Sequence, residues 1–533
     1  MTRVLIADTM SPRAGAVFRD HGIEVDERDG MAEAELVAVA AEYDGIAVRS
    51  ATRITATVLD AAARLRVVGR AGIGIDNIDL PAATARGVVV MNTPFGNSIT
   101  TAEHAIAMLL ALARQIPEAD RSTRAGKWEK NRFLGIEVAN KTLGLIGCGN
   151  IGSVVADRAR GMKMRVLAYD PYLSPERDED LGVDKVDLDT LLARADFISL
   201  HTPLTDQTRN ILDAAALARA KPGVRIVNCA RGGLIAEDAL RAAIESGQVA
   251  GAALDVFAEE PARTSPLFAM DRVIATPHLG ASTSEAQENV AVQIAEQMSD
   301  FLLLGAVTNA LNTPSVSAED APKLRPYMRL AEQLGSFAGQ LTETGLKGVR
   351  IEYEGNVAAL NTRPLTAVVL EGLLSPLMDS VNMVNAPVVA RERDIDVTES
   401  TNEKVGDYLS LLRLTVETER GSRSVAGTLF GESKPRLVEV DGISVEAELG
   451  PHMLFLINDD KPGFIGQLGT ALGDAGVNIA TFHLGRKAAG GSAIALVETD
   501  EEVSPEVLGA LMRLPLVRRA KSLRFTPPRG PRG

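Results

Sequence analysis

Five short stretches of this sequence carry groups that could do chemistry together. In TLGLIGCGNIG, Gly147, Gly149 and Gly152 are spaced GxGxxG between an apolar β-branched run and a helical pattern that opens at Asn150. A turn of this kind lets backbone N–H groups and a helix N-terminus approach a pyrophosphate closely. Asp170 ends the next apolar run, MRVLAYD. A carboxylate there can accept hydrogen bonds from ribose hydroxyls and repels a 2′-phosphate, which favours NAD over NADP as cofactor. Three further loops each follow an expected strand: RIVN leads to CARGG with Arg231, AALDV to FAEEP with Glu260, and RVIAT to PHLG with His278. Ligands of open α/β sheets bind at the carboxyl ends of strands, so these three side chains converge where a dinucleotide would lie.

Together they suit hydride transfer to or from a 2-hydroxy acid. His278, with an ordinary pKa near 6.5, can take the hydroxyl proton as hydride leaves and return it in reverse. Glu260 would hold the imidazole and raise its pKa by favouring the charged form. Arg231 can grip a substrate carboxylate bidentately and polarise the C2 oxygen.

The elements that must position these groups are legible for about half of the chain. From Arg3 to about Val273, runs such as VLIAD, GIAV, GVVV, FISL and VAGAALDV alternate with alanine-rich amphipathic segments, the βαβ rhythm of parallel sheets. The rhythm breaks near Pro94, and Thr100 to Gln115 reads as one helix, which predicts a domain boundary near residue 95. The long helical pattern from Ala281 to Leu304 could carry the chain back to the first domain. Residues 1–95 and 282–313 would then form one discontinuous substrate-binding domain around a nucleotide-binding domain at 96–281. TPSVSAEDAPKLRP after Asn312 has the composition of a linker. Residues 317–448 mix helical and strand patterns without a motif. From 452 to 527 the pattern is a compact βαββαβ unit.

Composition sets limits. Length alone calls for three to four domains. No run approaches the roughly 18 apolar residues of a membrane span, and MTRVLIADTM reads as a buried strand rather than an export signal, so we expect a cytoplasmic protein with no membrane partner. Cys148 and Cys229 lie in apolar segments without ligand spacing, so no metal is expected. A formal charge of -14 argues against nucleic acid. An anionic substrate therefore needs a local cluster of arginines.

The strings GRAGIGIDNID, NTPFGNS, GKW, TLGLIGCGNIG, HTPLT, NCARGGLI, LDVFAEEP and TPHLGAST resemble the D-2-hydroxyacid dehydrogenase family throughout residues 1 to about 312. The resemblance implies Arg231, Glu260 and His278 as the catalytic set. It places Asp255 near the nicotinamide amide and adds cofactor contacts from Asn150, Ile151, Thr202 and the backbone at Ala230. VRSATRIT, GRAGIGIDN and MNTPFGNS are most similar to members acting on 3-phosphoglycerate, oxidised to 3-phosphooxypyruvate, with some reduction of 2-oxoglutarate as a side activity. For that substrate Arg49, Arg70 and Arg132 supply the arginines, with Ser50 and Asn97 as neutral contacts.

NDDKPGFIGQLG and AGVNIA resemble an ACT domain, a sensor of amino acids. Asn458, Asp460 and Asn478 match the positions that hold the effector at a pair of such domains, with L-serine the expected effector. The resemblance thus implies two Rossmann-like doubly wound parallel-sheet domains, an α/β intervening regulatory domain, a C-terminal ACT domain, and a homotetramer. Glycerate, 2-hydroxyglutarate and lactate stay open as alternative substrates, because the three-residue set handles only the shared carboxylate and carbinol. A NAD-sensing corepressor on the same fold would need neither the tail nor this charge.

Overall fold

The alternation of β-branched runs with alanine-rich segments forms two parallel sheets in the computed structural model, which describes residues 1–378 and 380–525. The expected end of the last unit at 527 lies outside the described residues. In the first sheet, Glu24–Glu27, Arg3–Ile6, Gly45–Val48, Val67–Arg70 and Val89–Asn92 lie side by side in that order. Gly45–Val48 and Val89–Asn92 are buried at every residue, as a parallel sheet covered on both faces requires. The helix Ser284–Leu304 covers one face. A Cβ at Gly69 would meet Ile294 Cγ1 at 2.7 Å, so a glycine in the strand lets this helix lie close to the sheet.

The second sheet has seven parallel strands, ordered Val273–Ala275, Val249–Leu254, Val224–Asn228, Phe197–Leu200, Thr142–Ile146, Arg165–Tyr169 and Asp184–Lys185. The winding reverses between Thr142–Ile146 and Phe197–Leu200, and an open α/β sheet has its ligand crevice at such a switch point. The helix Ser98–Arg114 ends at Gln115, whose φ of 54° breaks it, and a second helix, Ile116–Arg124, begins with a proline in its first turn. The polar composition of that second helix, with one buried residue, Ser122, gives it no apolar period to read.

The third sheet holds six strands, Asp396–Asn402, Leu346–Gly355, Ser410–Thr418, Gly421–Phe430, Lys434–Val440 and Ile443–Ala447, antiparallel except for the first pair. Two helices, Ala321–Leu341 and Arg363–Leu374, pack with their backbones in near contact. A Cβ at Gly335 would run into the Val369 carbonyl, and one at Gly372 would lie 2.5 Å from the Glu332 carbonyl. The linker reading fails from Ala321 onward. Pro322 sits in the first turn, where no N–H is needed, and Pro326 costs one early hydrogen bond.

The fourth sheet orders Ile479–Arg486, Ser492–Thr499, His452–Asp459 and Val517–Arg524, all antiparallel, under the helices Phe464–Asp474 and Pro505–Leu511. Phe337 and Phe455 meet edge to face at 5.7 Å and join the third and fourth sheets in one core. Among the described residues, no helix is long and apolar enough to cross a membrane.

Candidate active site

The glycine loop leaves Thr142–Ile146 at the switch point. Gly147 has φ 94°, and a Cβ there would meet the His201 carbonyl at 2.5 Å, so no other residue fits. Gly152 presses on the Gly147 carbonyl. Gly149 caps the helix Asn150–Gly161 with no side-chain hydrogen bond, which leaves the helix's first N–H groups to a ligand, and nothing lies within 4 Å of where its Cβ would be. Thr202 follows Phe197–Leu200 directly against this loop, its N–H 3.1 Å from that same virtual Cβ of Gly147. Asn150 reaches Pro94 O at 3.4 Å, and Ile151 packs half-buried on the domain core. Asp170 is fixed by the N–H groups of Cys148 and Tyr172, both at 2.8 Å. It lines a cavity of about 630 Å³ with Tyr169, Pro171, Lys185, Val186, Asp187 and Thr190. A glycine cradle, a free helix end and a held carboxylate beside a cavity fit a dinucleotide with an unphosphorylated ribose.

Two strands further along, Asn228 clamps the next turn, donating to Arg231 O at 2.9 Å and accepting from Ala230 N at 3.0 Å. Arg231 Nη1 donates to Ala230 O at 2.7 Å, and its Nε lies 3.2 Å from Asp76 Oδ2 of the first domain. His278 has φ 55°, and its N–H is tied to Asp255 O at 2.9 Å. Its Nδ1 lies 2.6 Å from Glu260 Oε2. That hydrogen bond holds the imidazole pKa above its usual value, against burial and the charge of Arg231, which lower it. Burial would raise the Glu260 carboxyl, but the hydrogen bonds from His278 and from Phe257 N–H at 3.0 Å hold it below its ordinary value.

Asp255 has a different task from the expected one. Its side chain is fully buried and accepts from Thr276 Oγ1 at 2.6 Å and from the N–H groups of Leu279 and Gly280 at 2.8 Å, with His104 Nε2 at 3.2 Å. It shapes the loop that aims His278 and is not presented to the cleft. Ligating atoms of His104, Cys229 and Asp255 come within 4.8 Å of one another. Burial pushes the Cys229 thiol far up, and donors already occupy the carboxylate, so we read this cluster as hydrogen-bonded rather than metal-binding.

From the first domain, Arg70 ends Val67–Arg70 with its Nε buried and without a partner. Burial, then the charge of Arg231, push its pKa down to about 10, while Asp76 and Asp8 pull the other way and Arg49 adds to the fall. Arg49, Arg70 and Arg231 therefore converge. Arg49 is held through its N–H by Asp8 at 2.5 Å, and Ser50 beside it is exposed. Asn97 has a buried Oδ1 without a partner. Arg132 is not brought to this group. It faces Asp271 at 3.6 Å, at the amino end of Val273–Ala275, whereas His278 follows the carboxyl end.

In the fourth sheet, Asn458 is buried, with its Oδ1 unpartnered, and Asp460 accepts from Arg486 and from Gly490 N–H at 2.8 and 2.9 Å. Asn478 bonds Asp500 at 2.8 Å at the other end of the sheet, because Asn458 and Arg486 both pair with Ala493 while Ile479 pairs with Thr499. One chain does not bring the three expected effector contacts together.

Sequence reasoning overlooked Asp8, Asp76, His104, Asn228 and Thr276. All of them but His104 lay inside strings already singled out, VLIAD, GRAGIGIDN, RIVN and RVIAT, without a task attached.

The model of the D-isomer specific 2-hydroxyacid dehydrogenase NAD binding domain matches residues 106–280, that of the D-3-phosphoglycerate dehydrogenase intervening domain residues 323–441, and that of the ACT domain residues 452–516. A D-3-phosphoglycerate dehydrogenase of Synechocystis is 44% identical over 527 residues, covering 98% of this chain and 95% of the relative. Its Bacillus subtilis counterpart is 40% identical over 518 residues, covering 97% and 98%. Among solved structures, the Escherichia coli D-lactate dehydrogenase matches 58% of this chain and 100% of its own, at 30% identity and a TM-score of 0.53. A glyoxylate reductase of Paecilomyes thermophila matches 58% and 98%, at 30% identity and a TM-score of 0.54.

Proposed function

The chain belongs to the D-3-phosphoglycerate dehydrogenases, within the D-isomer specific 2-hydroxyacid dehydrogenase family, and we propose that its cleft oxidises 3-phospho-D-glycerate to 3-phosphooxypyruvate with NAD. The observation that carries this reading is the Glu260–His278 hydrogen bond of 2.6 Å beside Arg231, on the carboxyl edge of the seven-stranded sheet. Arg231 binds the substrate carboxylate and orients C2. With Nδ1 committed to Glu260, His278 offers Nε2 to the C2 hydroxyl and takes its proton. Glu260 stabilises the imidazolium that results. Bound NAD supplies the acceptor for the hydride leaving C2. Asp170 selects it by its ribose hydroxyls, and the Gly147–Gly152 loop seats its pyrophosphate. Arg70 and Arg49, with Ser50 and Asn97, receive the phosphate end. Oxidising a secondary alcohol with NAD is uphill at neutral pH, so the product must be drawn off. Reduction of 2-oxoglutarate is a side activity of the same site.

The same reading divides the chain at 95, 281 and 313, with the intervening domain at 317–448 and the ACT domain from 452. L-serine is the effector, the location is cytoplasmic and the assembly is a homotetramer. Ile116, Trp128 and Leu134, exposed at 53, 87 and 86%, support pairing through the nucleotide-binding domains. The test is NADH formation from 3-phospho-D-glycerate with the product trapped, with and without L-serine. Turnover of another 2-hydroxy acid alone would keep the catalytic set and overturn the substrate.

A further inference from the structure

The loop after Val67–Arg70 crosses from the first domain onto the catalytic arginine. It is firmly built. Asn92 Nδ2 donates to Ile73 O at 2.6 Å, the Thr93 hydroxyl accepts from Gly72 N–H at 2.7 Å, and Asn77 Nδ2 donates to Arg49 O at 2.8 Å and Thr52 O at 2.6 Å. Gly74 lies so close to Arg231 Nη2 that a Cβ there would collide with it. This frame delivers Asp76 to Arg231 Nε at 3.2 Å.

Arg231 is thereby held at two places, Nη1 by its neighbour's carbonyl and Nε by the other domain. The guanidinium is a planar fork, so fixing Nε and one Nη1 proton leaves the terminal edge facing a ligand in a set orientation. Asp76 is 78% exposed in its side chain, and an ion pair so open to water adds little to stability. Its value lies in geometry.

We propose that Asp76 is a positioning residue for the hydroxy-acid oxidation, holding Arg231 from across the cleft so that its terminal edge is aimed at the substrate carboxylate only when the two domains are together. The inference rests on the assignment of Arg231 to that carboxylate. Asp76 does for the arginine what Glu260 does for the histidine, but from the opposite domain, so the grip on the acid is coupled to closure of the cleft. It also faces Arg70, whose like charge opposes that of Arg231, and helps the two cations stand near each other before an anion arrives.

The test compares the full-length parent with Asp76→Asn and Asp76→Glu in steady-state oxidation of 3-phospho-D-glycerate and of D-glycerate, with NADH affinity measured by fluorescence. We expect Asp76→Asn to lower kcat/KM about ten- to a hundredfold, the scale on which misplaced positioning groups act, mainly through KM for the acid. The fold-change should be the same for both acids, since the carboxylate is common to them, NADH affinity should be unchanged, and Asp76→Glu should recover part of the loss. An unchanged or lowered KM would show Asp76 to be idle or a competitor of substrate. An effect confined to the phosphorylated acid would move its action to Arg70. Joint loss of NADH affinity would make it merely structural. Each of these overturns the proposal. A parent that oxidises only some other 2-hydroxy acid would overturn the substrate assignment instead, and the same comparison would then be run on that acid.

Discussion

Glu260 Oε2 and His278 Nδ1 stand 2.6 Å apart, and the pKa values of the two groups move in opposite directions because of it. Oxidation needs a neutral imidazole to accept the hydroxyl proton, and the hydrogen bond to Glu260 raises the histidine pKa. The rate of oxidation should therefore rise with pH through a limb above the ordinary value near 6.5, and reduction should fall across the same limb. Glu260→Gln keeps the contact but removes the charge, so the limb should move to lower pH. Profiles of kcat/KM in both directions check this. A limb that stays in place in the variant would show that another group titrates.

His278→Ala should lower turnover by about 10²- to 10⁴-fold, the usual contribution of a positioned acid or base, with NADH affinity kept. Affinity is spared because the cradle at Gly147–Gly152 hangs on other strands. Loss of NADH binding in the variant would refute the acid/base assignment.

The Asp170 carboxylate is held from two sides by N–H groups beside the glycine loop, so it can accept ribose hydroxyls without moving. Asp170→Ala should weaken NAD about tenfold or more, the loss of a charge-assisted hydrogen-bond pair, and relax the preference over NADP. Unchanged discrimination between the two cofactors would place Asp170 away from the ribose.

Groups marked by a glycine spacing or by their place at the end of an apolar run were readable from the sequence, and groups given a task only by the partner the fold brings to them were not. Gly147, Gly149 and Gly152 sit between a strand and a helix that announce themselves by period. Arg231, Glu260 and His278 each follow an apolar run whose end defines the ligand edge. Asp76 meets Arg231, and His104 meets Asp255, only because two sheets and a long helix fold together. The strands Glu24–Glu27 and Asp184–Lys185 escaped notice because they are charged edge strands with nothing buried to mark a period. In residues 317–448 the helices Ala321–Leu341 and Arg363–Leu374 approach through Gly335, Gly339 and Gly372, and glycines in helices read as breakers when the facing backbone is unknown. Within one chain the sheet puts Arg132 on the edge opposite His278, a placement that residue type and motif do not reveal.

Asp255→Ala should destabilise the nucleotide-binding domain by about 3 kcal/mol, because it strands two buried N–H groups and a hydroxyl at once. Thermal unfolding with and without NADH measures it. Turnover should fall with it, since the His278 loop hangs on the same carboxylate. An unfolding midpoint like the parent's would mean that water replaces the side chain and that the loop holds its own shape.

Asn458 and Asn478 lie at opposite ends of one antiparallel sheet, about 23 Å apart if each of seven residue steps spans about 3.3 Å. A single serine cannot touch both in one chain, so a site using both joins Asn458 of one copy to Asn478 of another. In a twofold pair there are two such sites, each built from opposite contributions. Asn458→Ala and Asn478→Ala enzymes should each lose inhibition by serine. Co-expressed and purified as a hybrid, they should regain about half of it, because one of the two sites then combines both losses and the other none. Inhibition curves on the hybrid and on each parent variant decide the matter. A hybrid as insensitive as its parents would put both residues in a site within one chain, or outside the serine site altogether.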